Sequence, residues 1–151
     1  MSKLFLMMGV PGSGKTTWCK EHLKNTDKYI SRDEIRFNLI KNKKEYFSRE
    51  KEVFKIFIEE INKNLELGFD VYADATHLDP ASREKVLVQL KIIPEEINVI
   101  YKKVGLETAL KRNRNREGLA FVPEKVIINM FNKLLEPQEY ENIDNTYIIE
   151  D

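Results

Sequence analysis

Cysteine is almost missing from this chain: Cys19 is the only one in 151 residues, so no internal disulfide can form. Long apolar runs are missing too. No stretch approaches the ~20 residues a helix needs to cross a bilayer. An excess of charge of either sign is also lacking, because 25 basic residues stand against 25 acidic ones. No global field therefore draws the protein to nucleic acid or membrane, and any such attraction has to come from a local patch. Histidine and cysteine are too sparse to place a second ligand at metal spacing from His77, so no zinc site is expected. Met-Ser-Lys at the N-terminus runs into a short apolar segment that lacks the length and cleavage site of a signal peptide, and a reducing, cytoplasmic setting is expected. There is no internal repeat, low-complexity tract or linker. The length suits one domain with a real core, spanning residues 1–151.

What is present is an alternation of strand and helix signals. Leu4 to Met8 is a short apolar run ending in a glycine turn, and Lys15 to Leu23 follows with helix formers. Lys28 to Ser31 can form a second strand, and Asp33 to Ile40 places Ile35, Leu39 and Ile40 near one helical stripe. From Ser48 to Leu67, Val53, Phe57, Ile61 and Leu65 recur at helical spacing, with Ser48 as candidate cap and Gly68 as stop. Val71 to Ala75 reads as a third strand. Asp79-Pro80 then opens a helix to about Leu90, and Ile97 to Val104 is a fourth strand. A helical stretch carrying Arg112, Arg114 and Arg116 follows Gly105, Pro123 begins another helix, and Thr146 to Ile149 can add a last strand. Such alternation predicts an α/β fold with a central parallel sheet and helices on both faces.

Gly9-x4-Gly14-Lys15-Thr16 is the sharpest local signal. Glycines let successive backbone N–H groups turn inward towards phosphate oxygens, and the following helix turns its positive end to the same anion. Lys15 then reaches the outer phosphates, and Thr16 offers a hydroxyl to Mg²⁺. The expected fold is thus a three-layer P-loop NTPase. Gly9, Pro11, Gly12, Ser13, Gly14, Lys15, Thr16 and Thr17 are the expected contacts of the nucleoside triphosphate. A guanine-reading Asn-Lys-x-Asp is absent, which leaves ATP as the default donor, and there is no room for the extra helical domain of a motor ATPase. A compact kinase fits better.

Ser31-Arg32-Asp33-Glu34-Ile35-Arg36 follows the second predicted strand, at the strand end where open α/β sheets bind ligands. Asp33 can take the proton of an attacking hydroxyl, and Arg36, one turn on, can hold an acceptor phosphate. Equally, Asp33 can be a helix cap and Arg36 a solvated charge. Arg32 and Glu34 read as flanking charges. Asp74 ends an apolar strand, where a carboxylate serves Mg²⁺ through water or accepts a hydrogen bond from Thr16 or the P-loop backbone. His77 reads as a polar loop contact. Further on, the run from Lys111 to Arg116, bracketed by Gly118 and Pro123, is either a plain basic surface helix or a lid over residues 112–123 whose arginines meet the phosphates. On a continuous helix Arg112 and Arg116 share a face while Arg114 points to solvent.

Taken together, Gly9-Val-Pro-Gly-Ser-Gly-Lys-Thr-Thr-Trp18, Ser31-Arg-Asp-Glu-Ile-Arg36, Asp74-Ala-Thr-His-Leu-Asp-Pro80 and Arg112-Asn-Arg-Asn-Arg116 with Val122-Pro123 resemble the kinase domain of bacteriophage-type polynucleotide 5′-kinases. The resemblance runs in order along nearly the whole chain. It implies transfer of the γ-phosphate of ATP to the 5′-hydroxyl of DNA or RNA with Mg²⁺. It further implies Lys15 and Thr16 on phosphate and metal, Asp33 as general base, Arg36 on the acceptor phosphate, Asp74 at the metal or acceptor site and Arg116 on the donor phosphates. His77 stands where related sequences often carry Asn. The Asp-x-Asp-Gly-Thr motif of the phosphatase domain that follows in the phage enzymes does not occur, so no 3′-phosphatase activity is expected. Two other readings stay open: a P-loop kinase of a nucleoside, nucleotide, sugar or antibiotic, and a nucleotide-gated binding module. Lys41, Lys43, Lys44, Tyr46 and Phe47 are either a single-strand-binding cluster or a solvated loop.

Overall fold

The computed structural model describes residues 2–45 and 48–151. Tyr46 and Phe47, like the side chain of Lys43, lie outside the described residues. Five strands, β1 (Lys3–Met8), β2 (Asp27–Ser31), β3 (Asp70–Asp74), β4 (Glu96–Lys103) and β5 (Asn145–Glu150), form one sheet. Their order is β2-β3-β1-β4-β5, with every neighbouring pair parallel. Six α-helices run between them among the described residues: α1 (Lys15–His22), α2 (Arg32–Leu39), α3 (Glu50–Glu66), α4 (Pro80–Leu87), α5 (Leu106–Arg114) and α6 (Glu124–Lys133).

The period-two alternation of β1 divides the core. Leu4, Leu6 and Met8 face one side with Val71, Ala73 and Val99, packed on Phe57, Ile61 and Leu65 of α3 and Val86 of α4. Phe5 and Met7 face the other side with Ile100 of β4, where Cys19 and Trp18 of α1 pack on them. Both faces of the inner strands are thus covered, which is why those strands read as apolar runs. Each fully buried Phe57, Ile61 or Leu65 contributes roughly 1.5–3 kcal/mol. A third cluster of Val10, Ala109, Leu110, Val122 and Ile127 ties α5 and α6 to the start of the loop after β1. No helix among the described residues is long and apolar enough to cross a membrane.

Several expected boundaries moved for local reasons. Ser48 does not cap α3: its hydroxyl donates to the Glu45 carbonyl at 2.8 Å, and Arg49 sits at the N-cap position without a side-chain cap. At the other end Gly68 (φ 90°) stops α3 as expected, with its N–H on Leu65 and that of Phe69 on Asn64, the paired bonds of a Schellman motif. α4 starts at the expected Asp79 cap, reinforced by Ser82, but ends at Leu87 rather than Leu90. Buried Asn62 explains the early stop, because it donates to the Gln89 carbonyl (3.0 Å) and accepts from the Lys91 N–H (2.9 Å). Helix α5 ends at Arg114, so Arg116 lies beyond it and does not share a helical face with Arg112. The side chain of Asn113 turns away to clamp both backbone groups of Val122, at 2.6 and 3.0 Å, and the chain leaves the helix there.

Candidate active site

The loop from Gly9 to Gly14 joins the C-terminal end of the central strand to α1, whose N-cap is Gly14 with φ 90° and no side-chain cap. The first N–H groups of α1 therefore point into the loop with the positive helix end behind them. Gly12 is required twice over. Its φ of 87° suits glycine, and a Cβ there would sit 2.5 Å from the Ala109 carbonyl oxygen of α5. Close approach of α5 in turn brings Arg112 over the loop, donating to the Ser13 carbonyl at 3.1 Å and pairing with Asp151 at 2.7 Å. Asp151 also pairs with Lys102, whose hydrogen bond holds the Asp151 carboxyl below the usual carboxylate range, with Arg112 helping.

Lys15 is only 8% exposed, yet it has no ion pair or hydrogen-bond partner for its ammonium among the described residues. Beside it the Ser13 hydroxyl is buried without a partner. A cation without a protein counter-ion, a buried hydroxyl and the inward N–H groups of the loop together form a cradle that fits an anionic ligand such as a nucleotide phosphate. Thr16 Oγ1 donates to Asp74 Oδ2 at 2.7 Å, and Tyr29 donates to the same oxygen at 2.5 Å. Of the alternatives open for Asp74, the bond to Thr16 is formed. Burial and the charge of Asp74 push the Tyr29 hydroxyl far above its ordinary pKa, so it stays a donor. The adjoining hydroxyl and carboxylate oxygens also suit Mg²⁺, which prefers hard oxygen donors.

Next to Lys15 opens a cleft of about 220 Å³, lined by the polar side chains of Lys15, Arg32, Asp33, Arg36 and Asp74 and by the apolar ones of Pro11, Val122, Val126 and Met130. Ser31 caps α2 by accepting from the Glu34 N–H at 3.1 Å, so Asp33 is not the cap and is left to line the cleft, its side chain 59% exposed. Arg36 is buried, not solvated. Its Nε and Nη2 grip both oxygens of Glu50 at 2.7 Å, and its Nη1 donates to Asp33. Although burial pushes Glu50 up, the hydrogen bonds and charge of Arg36, with Arg32, prevail and hold it below its usual range. Arg32, read from sequence as a flanking charge, lines the cleft with a buried Nε that has no hydrogen-bond partner, and it stacks 5.2 Å from the Phe54 ring. Burial lowers its pKa.

Other expected residues fall outside this constellation. Thr17 is exposed on the first turn of α1, and Arg114 makes a surface pair with Glu124 at 3.0 Å. Arg116 donates to the Ala120 carbonyl at 3.4 Å and is not among the residues lining the cleft. His77 is 4% exposed, adopts φ 42°, and bonds the Met7 carbonyl through Nδ1 at 2.6 Å, while Nε2 has no partner. It is a loop contact, as expected, but a buried one. Burial lowers its pKa to about 4. In the unfolded chain it protonates near 6.5, so its stability contribution is present above that pH and is lost as pH falls towards 4, by roughly 3 kcal/mol. His77→Asn, which tolerates positive φ and can donate to Met7, should flatten the stability curve between those limits in urea melts across pH. An unchanged acid slope would contradict this assignment of His77.

A family described as AAA domain matches residues 4–137. Among curated proteins, a putative bifunctional polynucleotide kinase/RNA ligase of Autographa californica nuclear polyhedrosis virus is 26% identical over 152 aligned positions, covering 92% of this chain and 22% of that protein. Among solved structures, a chain of a Pnkp1/Rnl/Hen1 RNA repair complex superposes with a TM-score of 0.74 at 20% identity, over 88% of this chain and 44% of its own. A sugar kinase from Janibacter sp. HTCC2649 gives 0.68 at 17% identity, over 99% and 86%. This chain therefore spans about a fifth of the viral protein and less than half of the repair-complex chain, and the shared fold is that of P-loop kinases.

Proposed function

We propose that this chain, which belongs to the AAA domain family, transfers the γ-phosphate of ATP to the 5′-hydroxyl of a polynucleotide. One observation carries the reading: Lys15, a cation with no counter-ion among the described residues, and Asp33, an exposed carboxylate held by Arg36, line the same cleft. A donor phosphate on one and an acceptor hydroxyl on the other would meet between them. The viral relative with a polynucleotide kinase name supports a nucleic-acid acceptor.

In this mechanism Asp33 takes the proton of the acceptor hydroxyl. The hydroxyl oxygen bonds to the γ-phosphorus, the bond from that phosphorus to the bridging oxygen breaks, and ADP leaves. Lys15 and the backbone N–H groups of the loop receive the charge that moves to the leaving phosphate. Thr16 and Asp74 would hold Mg²⁺, which supplies further neutralisation of the phosphates. Arg36, fixed by Glu50, orients Asp33, and with Arg32 it provides positive charge for the phosphate following the 5′ nucleoside. Arg112 and Arg116 belong to the proposed lid over 112–123. Arg112 already touches the loop, and Arg116 would have to swing inward to reach the donor.

The test is an acceptor panel. The protein, with Mg²⁺ and γ-labelled ATP, is offered 5′-hydroxyl DNA and RNA oligonucleotides, nucleosides, nucleotides and simple sugars such as gluconate. The highest kcat/KM is expected on an oligonucleotide. Label on a sugar or free nucleoside alone would keep the P-loop chemistry and overturn the polynucleotide assignment.

A further inference from the structure

Apart from the cleft, an open groove of about 510 Å³ runs along α3, lined on its other side by Gln89 and Lys91 from the turn after α4. Its lining follows one stripe of α3 at three- and four-residue spacing, from Lys51 past Phe54 and Lys55 to Lys63. Four lysines face it against two carboxylates. Glu59 is tied to Lys55 at 4.0 Å, and Glu66 stands at the far end. On a chain with net charge zero such a local excess of cations stands out.

Groove and cleft meet at α3. Glu50, the first residue of the helix, anchors Arg36 in the cleft, and Lys51 beside it opens the groove. Phe54, one turn on, lines the groove and has two cations at its ring, Arg32 of the cleft 5.2 Å and Lys85 of α4 5.0 Å from the ring centroid. The helix has 17 residues, so the groove can extend up to about 25 Å from the cleft.

We propose that this groove carries a single-stranded polynucleotide whose 5′ end occupies the cleft, with Lys55, Lys63 and Lys91 on its backbone phosphates and Phe54 as a stacking surface for a base. The proposal rests on the polynucleotide reading above. It adds a prediction that reading alone does not make, namely that acceptors gain affinity with length. Phe54 is half-buried against the core and leaves part of its ring to the groove, and cations tracking a backbone beside an aromatic ring are the means by which proteins hold single strands without reading their sequence.

The experiment compares a trinucleotide with a strand of about sixteen nucleotides, using wild type and the triple variant Lys55→Glu, Lys63→Glu, Lys91→Glu. All three lysines are exposed and none of them lines the cleft, so the fold and kcat on the trinucleotide should not change. Wild type is expected to show a KM about tenfold or more lower for the longer strand, and the variant to lose that advantage. The dependence of log affinity on log salt should become shallower by about 0.7 for each phosphate no longer neutralised. Equal KM values for the two lengths in wild type, or an advantage that survives in the variant, would overturn the groove while leaving the kinase reading intact. Were neither strand phosphorylated, the kinase reading would fall, and anisotropy of a labelled strand would still decide the groove. Equal binding by wild type and variant, or binding by neither, overturns it.

Discussion

Asp33→Asn is expected to lower kcat for oligonucleotide phosphorylation by about 10²- to 10⁴-fold, the usual contribution of a positioned general base, while ATP affinity is unchanged. The substitution is close to isosteric. The carboxamide oxygen of the new side chain can still accept from Arg36, so the bidentate Arg36–Glu50 arrangement survives and only proton-accepting capacity goes. Steady-state kinetics beside calorimetric titration of ATP separate the two quantities. Weakened ATP binding with kcat intact would remove Asp33 from the role of base. Removing Glu50 acts differently, since it releases the anchor of Arg36 and loosens both the base and the positive side of the cleft.

A second large effect is expected far from the chemistry. Arg83 on α4 has no exposed surface and spends its guanidinium on Glu141 (2.8 and 3.0 Å), the His77 carbonyl (2.9 Å) and the Leu135 carbonyl (2.8 Å). Burial alone would push Glu141 up, but the hydrogen bond from Arg83 and that from the Gln138 N–H hold it below its usual range. Glu141→Gln leaves the arginine charge buried without its counter-ion, and a loss of about 3–5 kcal/mol is expected, on the order of 10 °C in Tm. Replacing the pair together, Arg83→Met with Glu141→Leu, should cost less than the single change, because no charge is then stranded. Denaturant melts of the two variants decide it. A single variant within about 1 kcal/mol of wild type would contradict this role for the pair. Since Arg83 also pins the carbonyl of His77, three residues beyond Asp74, the single variant should blur the floor of the cleft as well.

Separation along the chain divides what could be read in the sequence from what could not. The phosphate loop was legible because its glycines, lysine and threonine are contiguous, and β1 before it and α1 after it announce themselves by local pattern. Asp33 and Arg36 were legible through their one-turn spacing, and the position of Ser31 decides that Asp33 is not the cap. Glu50 was not legible, because it reaches Arg36 from fourteen positions away and nothing local says which side of α3 its first turn presents. Arg83 and Glu141 are separated by 58 positions, and each alone reads as a surface charge. Tyr29 read only as a strand residue; the parallel register of β2 on β3, with Ser31 opposite Asp74, brings its hydroxyl within reach of Asp74. The shared face expected for Arg112 and Arg116 is not formed, because spacing assumes an unbroken helix whereas α5 ends at Arg114, where the Asn113 side chain clamps Val122. Arg32 reads locally as a flanking charge because its partial burial and its contact with the Phe54 ring depend on α3, which no local pattern positions.

The most direct test of the central claim is the site of the transferred phosphate. A 5′-hydroxyl oligonucleotide is incubated with the protein, Mg²⁺ and γ-labelled ATP, then digested to 5′-mononucleotides. All label is expected in the nucleotide from the 5′ end, and none is expected to be incorporated by Lys15→Ala, which removes the cation that follows the glycine loop. Label elsewhere on the strand, label on no strand at all, or full incorporation by the Lys15 variant would contradict the claim.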